Sequence, residues 1–191
     1  MDFVEGLPLS QGYNVIMVMV DRLSKYAHFM PLKHPYTAVS VAKCFLNNVM
    51  KLHGMPLSIV SDRDKIFIST FWKSMFKLHG TTLCYSSSYH PQSNGQTKVV
   101  NRTLEQHLRC FSYDQPKGWM EWLAWAEYGY NMAVHSATKV SRFEAVYGVP
   151  PPSMTSYIPG TTKFRLWTNC CTQEKSYFVI YSEIYWRHRF A

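Results

Sequence analysis

The sequence predicts an α/β fold, a mixed sheet with helices packed on its faces, on three observations. Two apolar runs near the N-terminus flank the polar segment Asp21-Arg22-Leu23-Ser24-Lys25, the pattern of an antiparallel hairpin. Helical and extended patterns then alternate through the middle of the chain. The last part of the body is helical only. With 47% apolar residues over 191 positions, the chain can bury a sizeable core.

Residues 1–4 predict a short strand, joined through a loop over 6–12 to strands at 14–20 and 26–32. Thr37 is placed to cap a helix in which Ala38, Val41, Ala42, Phe45, Val49 and Leu52 recur at helical spacing, and Gly54 and Pro56 stop it. A strand follows at 57–61. The next helix starts near Ser69 or Thr70, carries Phe71, Trp72, Met75, Phe76 and Leu78, and ends at His79-Gly80. Residues 82–85 predict a fifth strand. After a polar loop, residues 96–111 are helical with Val100, Leu104, Leu108 and Phe111 along one side. Helices at 119–135 and 141–147 follow, and Pro150-Pro151-Pro152 closes the unit. From 161 to 191 Trp, Cys, Tyr and Phe abound and no helical or strand period survives, so this tail is expected to be non-native or disordered.

Several classes are excluded. The aliphatic run at 15–20 is far shorter than the roughly 20 residues of a membrane span, and Met1 is followed by Asp2 with no apolar leader. The five cysteines form no C-x-x-C pair, which argues against structural zinc and fits a reducing setting, nuclear or cytoplasmic rather than secreted. The Asn101-Arg102-Thr103 sequon is then a chance match. Lys and Arg number 20 against 12 Asp and Glu, a net +8, and the body to Gly160 alone is +5. That favours a polyanionic partner without requiring one.

Two stretches could carry chemistry. Asp62 falls at the C-terminal end of a strand, where open sheets bind their ligands. Carboxylates on neighbouring strand ends, Asp2 and Asp62, can share a hard cation, but from spacing alone the simpler reading is that Asp62 and Asp64 only initiate a turn. The second stretch, Tyr89-His90-Pro91-Gln92-Ser93-Asn94-Gly95-Gln96-Thr97, delivers the chain to a helix N-terminus, where free N–H groups and the dipole suit a phosphate. Beyond it Lys98, Asn101, Arg102 and Glu105 share one helix face, suited to phosphate and base-edge contacts or simply solvated. Trp119, Trp122 and Trp125 are most simply core and flank residues of one helix.

The segments "MDFVEGLP", "VMVDRLSKYAHFMPL", "KLHGMPLSIVSDRDKIFISTFW", "YHPQSNGQTKVVNRTLEQHLR", "AEYGYN" and "FEAVYGVPPP" occur in this order. Together they resemble the integrase catalytic core of gypsy-type LTR retrotransposon polyproteins, of the plant type, over residues 1–160. The resemblance implies a ribonuclease H-like fold with a five-stranded mixed sheet, N-terminally truncated here. It also implies DNA as partner, as element ends and target, and a homo-oligomer. The implied reaction is 3′-end processing and strand transfer with two Mg²⁺ or Mn²⁺ ions held by two Asp and one Glu. By position the two Asp are Asp2 and Asp62. The Glu position, 35 intervening residues beyond Asp62, holds Lys98. The implied nucleic-acid contacts are Tyr89, Gln92, Asn94, Gln96, Lys98, Asn101 and Arg102.

Other departures point the same way. Arg142 stands where the family has Pro, and one codon choice for residues 166–175, read in another frame, spells the family-like Val-Asp-Glu-Leu-Leu-His-Thr-Arg-Glu. A frameshifted tail and weakened metal binding are therefore expected. Three readings are compared: an active integrase core, a catalytically dead nucleic-acid-binding or co-opted scaffold domain, and an unrelated nuclease of the same fold, which the ordered motifs argue against. The second is preferred, with Lys98 pairing directly with the two carboxylates.

Overall fold

The computed structural model describes residues 1–86, 95–136 and 138–152. Its strands are β1 (Asp2–Val4), β2 (Val15–Val20), β3 (Ala27–Leu32), β4 (Ser58–Ser61) and β5 (Thr82–Tyr85). Its helices are α1 (Ala38–Phe45), α2 (Lys51–His53), α3 (Thr70–Leu78), α4 (Gly95–Phe111), α5 (Trp119–Met132) and α6 (Arg142–Tyr147). The element order matches the sequence reading, and Met1–Pro151 form one compact unit. The tail at 161–191 lies outside the described residues.

Strand β2 explains the two-layered core. Val15, Ile16, Met17 and Val18 are all buried, because successive side chains enter opposite faces and both faces are covered. Val15 and Met17 join Met30 and Leu32 of β3 in a cluster with Val41 and Phe45 of α1 and Trp72 and Phe76 of α3. Ile16 and Val18 join Ala27 and Phe29 in a second cluster with Val100, Leu104 and Leu108 of α4 and Trp119, Leu123 and Ala126 of α5. Trp119 is buried and its indole N–H donates to Pro8 O at 2.7 Å, while Trp122 stacks on Phe111, so these rings serve packing.

Strand pairing differs from the expected single sheet in one respect. Antiparallel β1–β2–β3 form one ladder, with Asp2 opposite Val18 and Val15 opposite Leu32, and parallel β4–β5 form another. The Met1 amino group donates to Val60 O at 2.6 Å, which ties β1 to β4.

The first helix also departs from expectation. Thr37 caps α1 through a capping box with Ser40, as its position suggested. The helix then passes through a π-helical stretch, Leu46–Met50, before the last turn α2. Val49 remains buried across that stretch.

Helix α5 closes the free edge of β3. Asn131, 3% exposed, accepts from Ala27 N at 2.9 Å and donates to Ala27 O at 2.8 Å. One turn earlier Glu127 accepts from Phe29 N at 2.7 Å. These side chains occupy backbone groups that a further strand would otherwise pair with. Arg142 fits the end of the same helix: its guanidinium donates to Tyr130 O and Ala133 O at 2.8 and 3.1 Å and lies 4.0 Å from the Tyr130 ring centroid. A cation on the last carbonyls of a helix opposes the negative end of its dipole.

Candidate metal and nucleic-acid site

Asp2 opens β1, and Asp62 follows β4, so the Met1–Val60 bond draws both to the same end of the fold. Asp2 is half-buried: its Oδ1 accepts from Phe3 N at 3.0 Å and its Oδ2 from Asn101 Nδ2 at 3.1 Å. Burial raises the Asp2 carboxyl above its ordinary range, and the charge of Asp62 adds to the rise. The Phe3 N–H, the Met1 amine and, last, the Lys98 ammonium oppose it. Burial also lowers the Met1 amino group to about 6, against the pull of Asp2 and Asp62. The charge of Asp62 thus bears on the Asp2 carboxyl.

Asp62 does initiate a turn as well. Its Oδ1 accepts from Asp64 N at 3.1 Å, and Asp64 Oδ1 accepts from Ile66 N at 2.8 Å. The turn and the carboxylate pair coexist, because each Asp offers several lone pairs.

Helix α4 presents its residues differently from the sequence reading. Lys98 is exposed and forms no ion pair with a carboxylate among the described residues. Its expected direct pairing is not made; its charge reaches Asp2 only at a distance. The contact with Asp2 belongs to Asn101, one turn on, which is half-buried rather than part of a free polar face. Arg102 and Gln96 are exposed, and Thr97, between Gln96 and Lys98, is buried. Tyr89, Gln92 and Asn94 lie outside the described residues.

A divalent cation would find oxygen donors here but not a full acidic set. No three His, Cys, Asp or Glu side chains converge on a common point among the described residues. Asp2 and Asp62 supply two carboxylates, and Oδ1 of Asn101 is buried without a hydrogen-bond partner. An all-oxygen donor set suits Mg²⁺. By donor chemistry these oxygens suit such an ion, and among the described residues no third carboxylate converges on them.

A polar cluster on the other side of β3 was not visible in the sequence. His28 Nδ1 lies 3.2 Å from Glu127 Oε1 and His28 Nε2 lies 2.9 Å from His53 Nε2. His53 sits at the end of α2, so three elements meet. The histidine spacing gave no sign of this; the one signal was the polar pair Glu127 and Asn131, four apart in "AEYGYN" on a helix rich in aromatics. A pocket of about 560 Å³ adjoins the cluster, lined by Met1, Asp21, Tyr26, His53, Gln96 and Thr97 among others.

Comparison with known proteins agrees with this architecture. Residues 1–91 match the family described as Integrase core domain. The chain is 38% identical over 151 residues to the Transposon Tf2-3 and Tf2-4 polyproteins of Schizosaccharomyces pombe, covering 79% of this chain and 11% of each relative. It therefore spans about a tenth of those proteins' length. Among solved structures, the HTLV-2 integrase catalytic core domain in complex with magnesium superposes with a TM-score of 0.60 at 18% identity, over 75% of this chain and 92% of that one. The BIV integrase catalytic core gives 0.55 at 21% identity, over 75% and 91%. The simian T-cell lymphotropic virus intasome in complex with PP2A regulatory subunit B56 gamma gives 0.66 at 18%, over 85% and 59%. The fold is ribonuclease H-like, residues 1–91 match the integrase core domain, and the chain is homologous to a part of the Tf2 polyproteins.

Proposed function

We propose that this chain is the integrase core of a gypsy-type LTR retrotransposon polyprotein, of the plant type, that binds DNA but does not carry out end processing or strand transfer. The observation that carries the reading is Lys98 on the first turn of α4, with no third carboxylate converging on Asp2 and Asp62 among the described residues. Two divalent ions would activate the attacking oxygen and stabilise the leaving one. Asp2 and Asp62 hold oxygen ligands for one ion, and an exposed ammonium offers none for the other.

DNA contact draws on other groups. Exposed Gln96, Lys98 and Arg102 lie at the start of α4, and a helix N-terminus with cations beside it suits a phosphate backbone. The partners are element ends and target DNA, and the trimeric and dimeric forms of the similar HTLV-2 core favour a homo-oligomer. A nuclear or cytoplasmic location fits that substrate. The tail at 161–191 is read as a frameshifted appendage, which the coding DNA checks directly.

The test compares the purified chain with Lys98→Glu on element-end DNA in Mg²⁺ and Mn²⁺. DNA binding that weakens steeply with salt is expected in both, with joining absent from the parent chain. Metal-dependent joining by the parent chain refutes the inactive reading, and loss of salt-sensitive DNA binding refutes the binding one.

A further inference from the structure

The short turn α2 buries no side chain of its own, and its last residue, His53, is exposed. It is tied to the sheet by His53 Nε2, which lies 2.9 Å from Nε2 of His28 on β3. His28 is buried, and its other ring nitrogen, Nδ1, lies 3.2 Å from Glu127 Oε1 on α5. Glu127 Oε2 accepts from Phe29 N at 2.7 Å, so the β3 backbone fixes the carboxylate. The row Glu127–His28–His53 thus has one anchored end and one end on an exposed turn.

Proton counting constrains this row. An ionised carboxylate only accepts, so His28 Nδ1 carries a hydrogen and donates to Glu127. With no added proton, His28 Nε2 is a bare lone pair and accepts from His53 Nε2–H. With one, His28 donates from both nitrogens and His53 accepts at Nε2 in its Nδ1–H tautomer, so the contact survives. With two, both facing nitrogens carry hydrogen, and two N–H groups cannot meet at 2.9 Å. Two cationic rings side by side also repel.

The surroundings decide little against this. Burial and His28 lower the pKa of His53, and Asp21, just past β2, opposes them. Tyr26 packs its ring against both histidines, with centroids 5.2 and 5.9 Å away, and Tyr147 of α6 lies 6.3 Å from His53. Burial raises the Tyr26 phenol, which stays neutral. Arg22 lines the adjoining pocket and adds positive charge, whereas Gln96 and Thr97 of α4 and Ser58, Ile59 and Val60 of β4 carry none.

We propose that the His28–His53 contact is a proton-operated latch, in which the second proton taken up by the cluster releases His53 and frees the α2 turn from β3. Gly54, Pro56 and Leu57, which follow the turn, wall the pocket of about 560 Å³, so release widens its mouth. The latch is separate from the Asp2–Asp62 end of the fold and does not depend on DNA being bound.

Amide hydrogen exchange followed by NMR on the 191-residue chain reads the turn through Gly54 N–H, which bonds Met50 O at 2.8 Å. Corrected for the intrinsic pH dependence, its exchange should speed up about tenfold or more between about pH 8 and about pH 5. The change should track the second of two coupled steps in the ring-proton shifts of His28 and His53. His53→Gln keeps a group that can donate to or accept from His28 and does not titrate, so it should hold the turn closed across the range. His53→Ala should leave the turn open throughout. Circular dichroism checks that each variant is folded. Gly54 protection that stays level in the parent chain, or that falls as steeply with acid in folded His53→Gln, overturns the proposal. So does folded His53→Ala with the parent's protection at neutral pH.

Discussion

Replacing Asn131 with Leu isolates the bridge between α5 and the edge of β3. Leu has nearly the same outline and no polar atoms, so packing is preserved while two buried hydrogen bonds vanish. Ala27 N–H and C=O are left without the partners at 2.9 and 2.8 Å that they have in the native fold. Each stranded backbone group costs about 1–3 kcal/mol. Some water access at the strand edge reduces the sum, and about 3 kcal/mol is expected. That is a large share of the roughly 5–15 kcal/mol that stabilises a domain of this size. Urea unfolding followed by tryptophan fluorescence reads the change as a lower midpoint at constant slope. Asn131→Asp sharpens the test: an ionised carboxylate still accepts from Ala27 N–H but faces Ala27 O with a second acceptor. It should be at least as destabilising near neutral pH and recover on acidification, when the carboxyl can donate. A loss below about 1 kcal/mol for Asn131→Leu would show that water or a shifted backbone satisfies Ala27, and would refute the edge-closing role.

Two further outcomes follow from the same geometry. In EDTA, Asp2 holds its proton more tightly folded than unfolded, because burial and Asp62 raise its carboxyl. The native state therefore binds more protons above the unfolded value of 3.8, and stability falls as pH rises through the window up to the raised value. Asp2→Asn should flatten that slope and raise the melting temperature at neutral pH. An unchanged slope refutes the strained-carboxylate account. Arg142→Ala removes two bonds to the end of α5 and the contact with the Tyr130 ring, and should cost about 1–2 kcal/mol. Thermal melts that match the parent would show that the carbonyls find other donors.

Local rules made much of the fold legible in the chain. The Thr37 cap, the turn residues and the apolar spacing of α3 and α4 act over a few positions, so they can be read without knowing what lies across the core. The unbroken apolar run of β2 likewise announced a strand, although only the fold shows its side chains feeding two separate clusters. Ordered motifs and a count of residues placed Asp2, Asp62 and Lys98. What they could not supply was the rotation of α4, because a helix turns 100° per residue and its packing against β1 and β2 selects the face that looks inward. That packing gives Asn101 to Asp2 and leaves Lys98 in solvent, reversing the expected pairing. The division of the strands into β1–β2–β3 and β4–β5 is likewise visible only in the fold. His28 and Glu127 meet although 99 positions separate them, and His53 joins them from a third element. Such encounters are fixed by which faces bury against which, and that is decided by the whole core rather than by any one segment's own pattern.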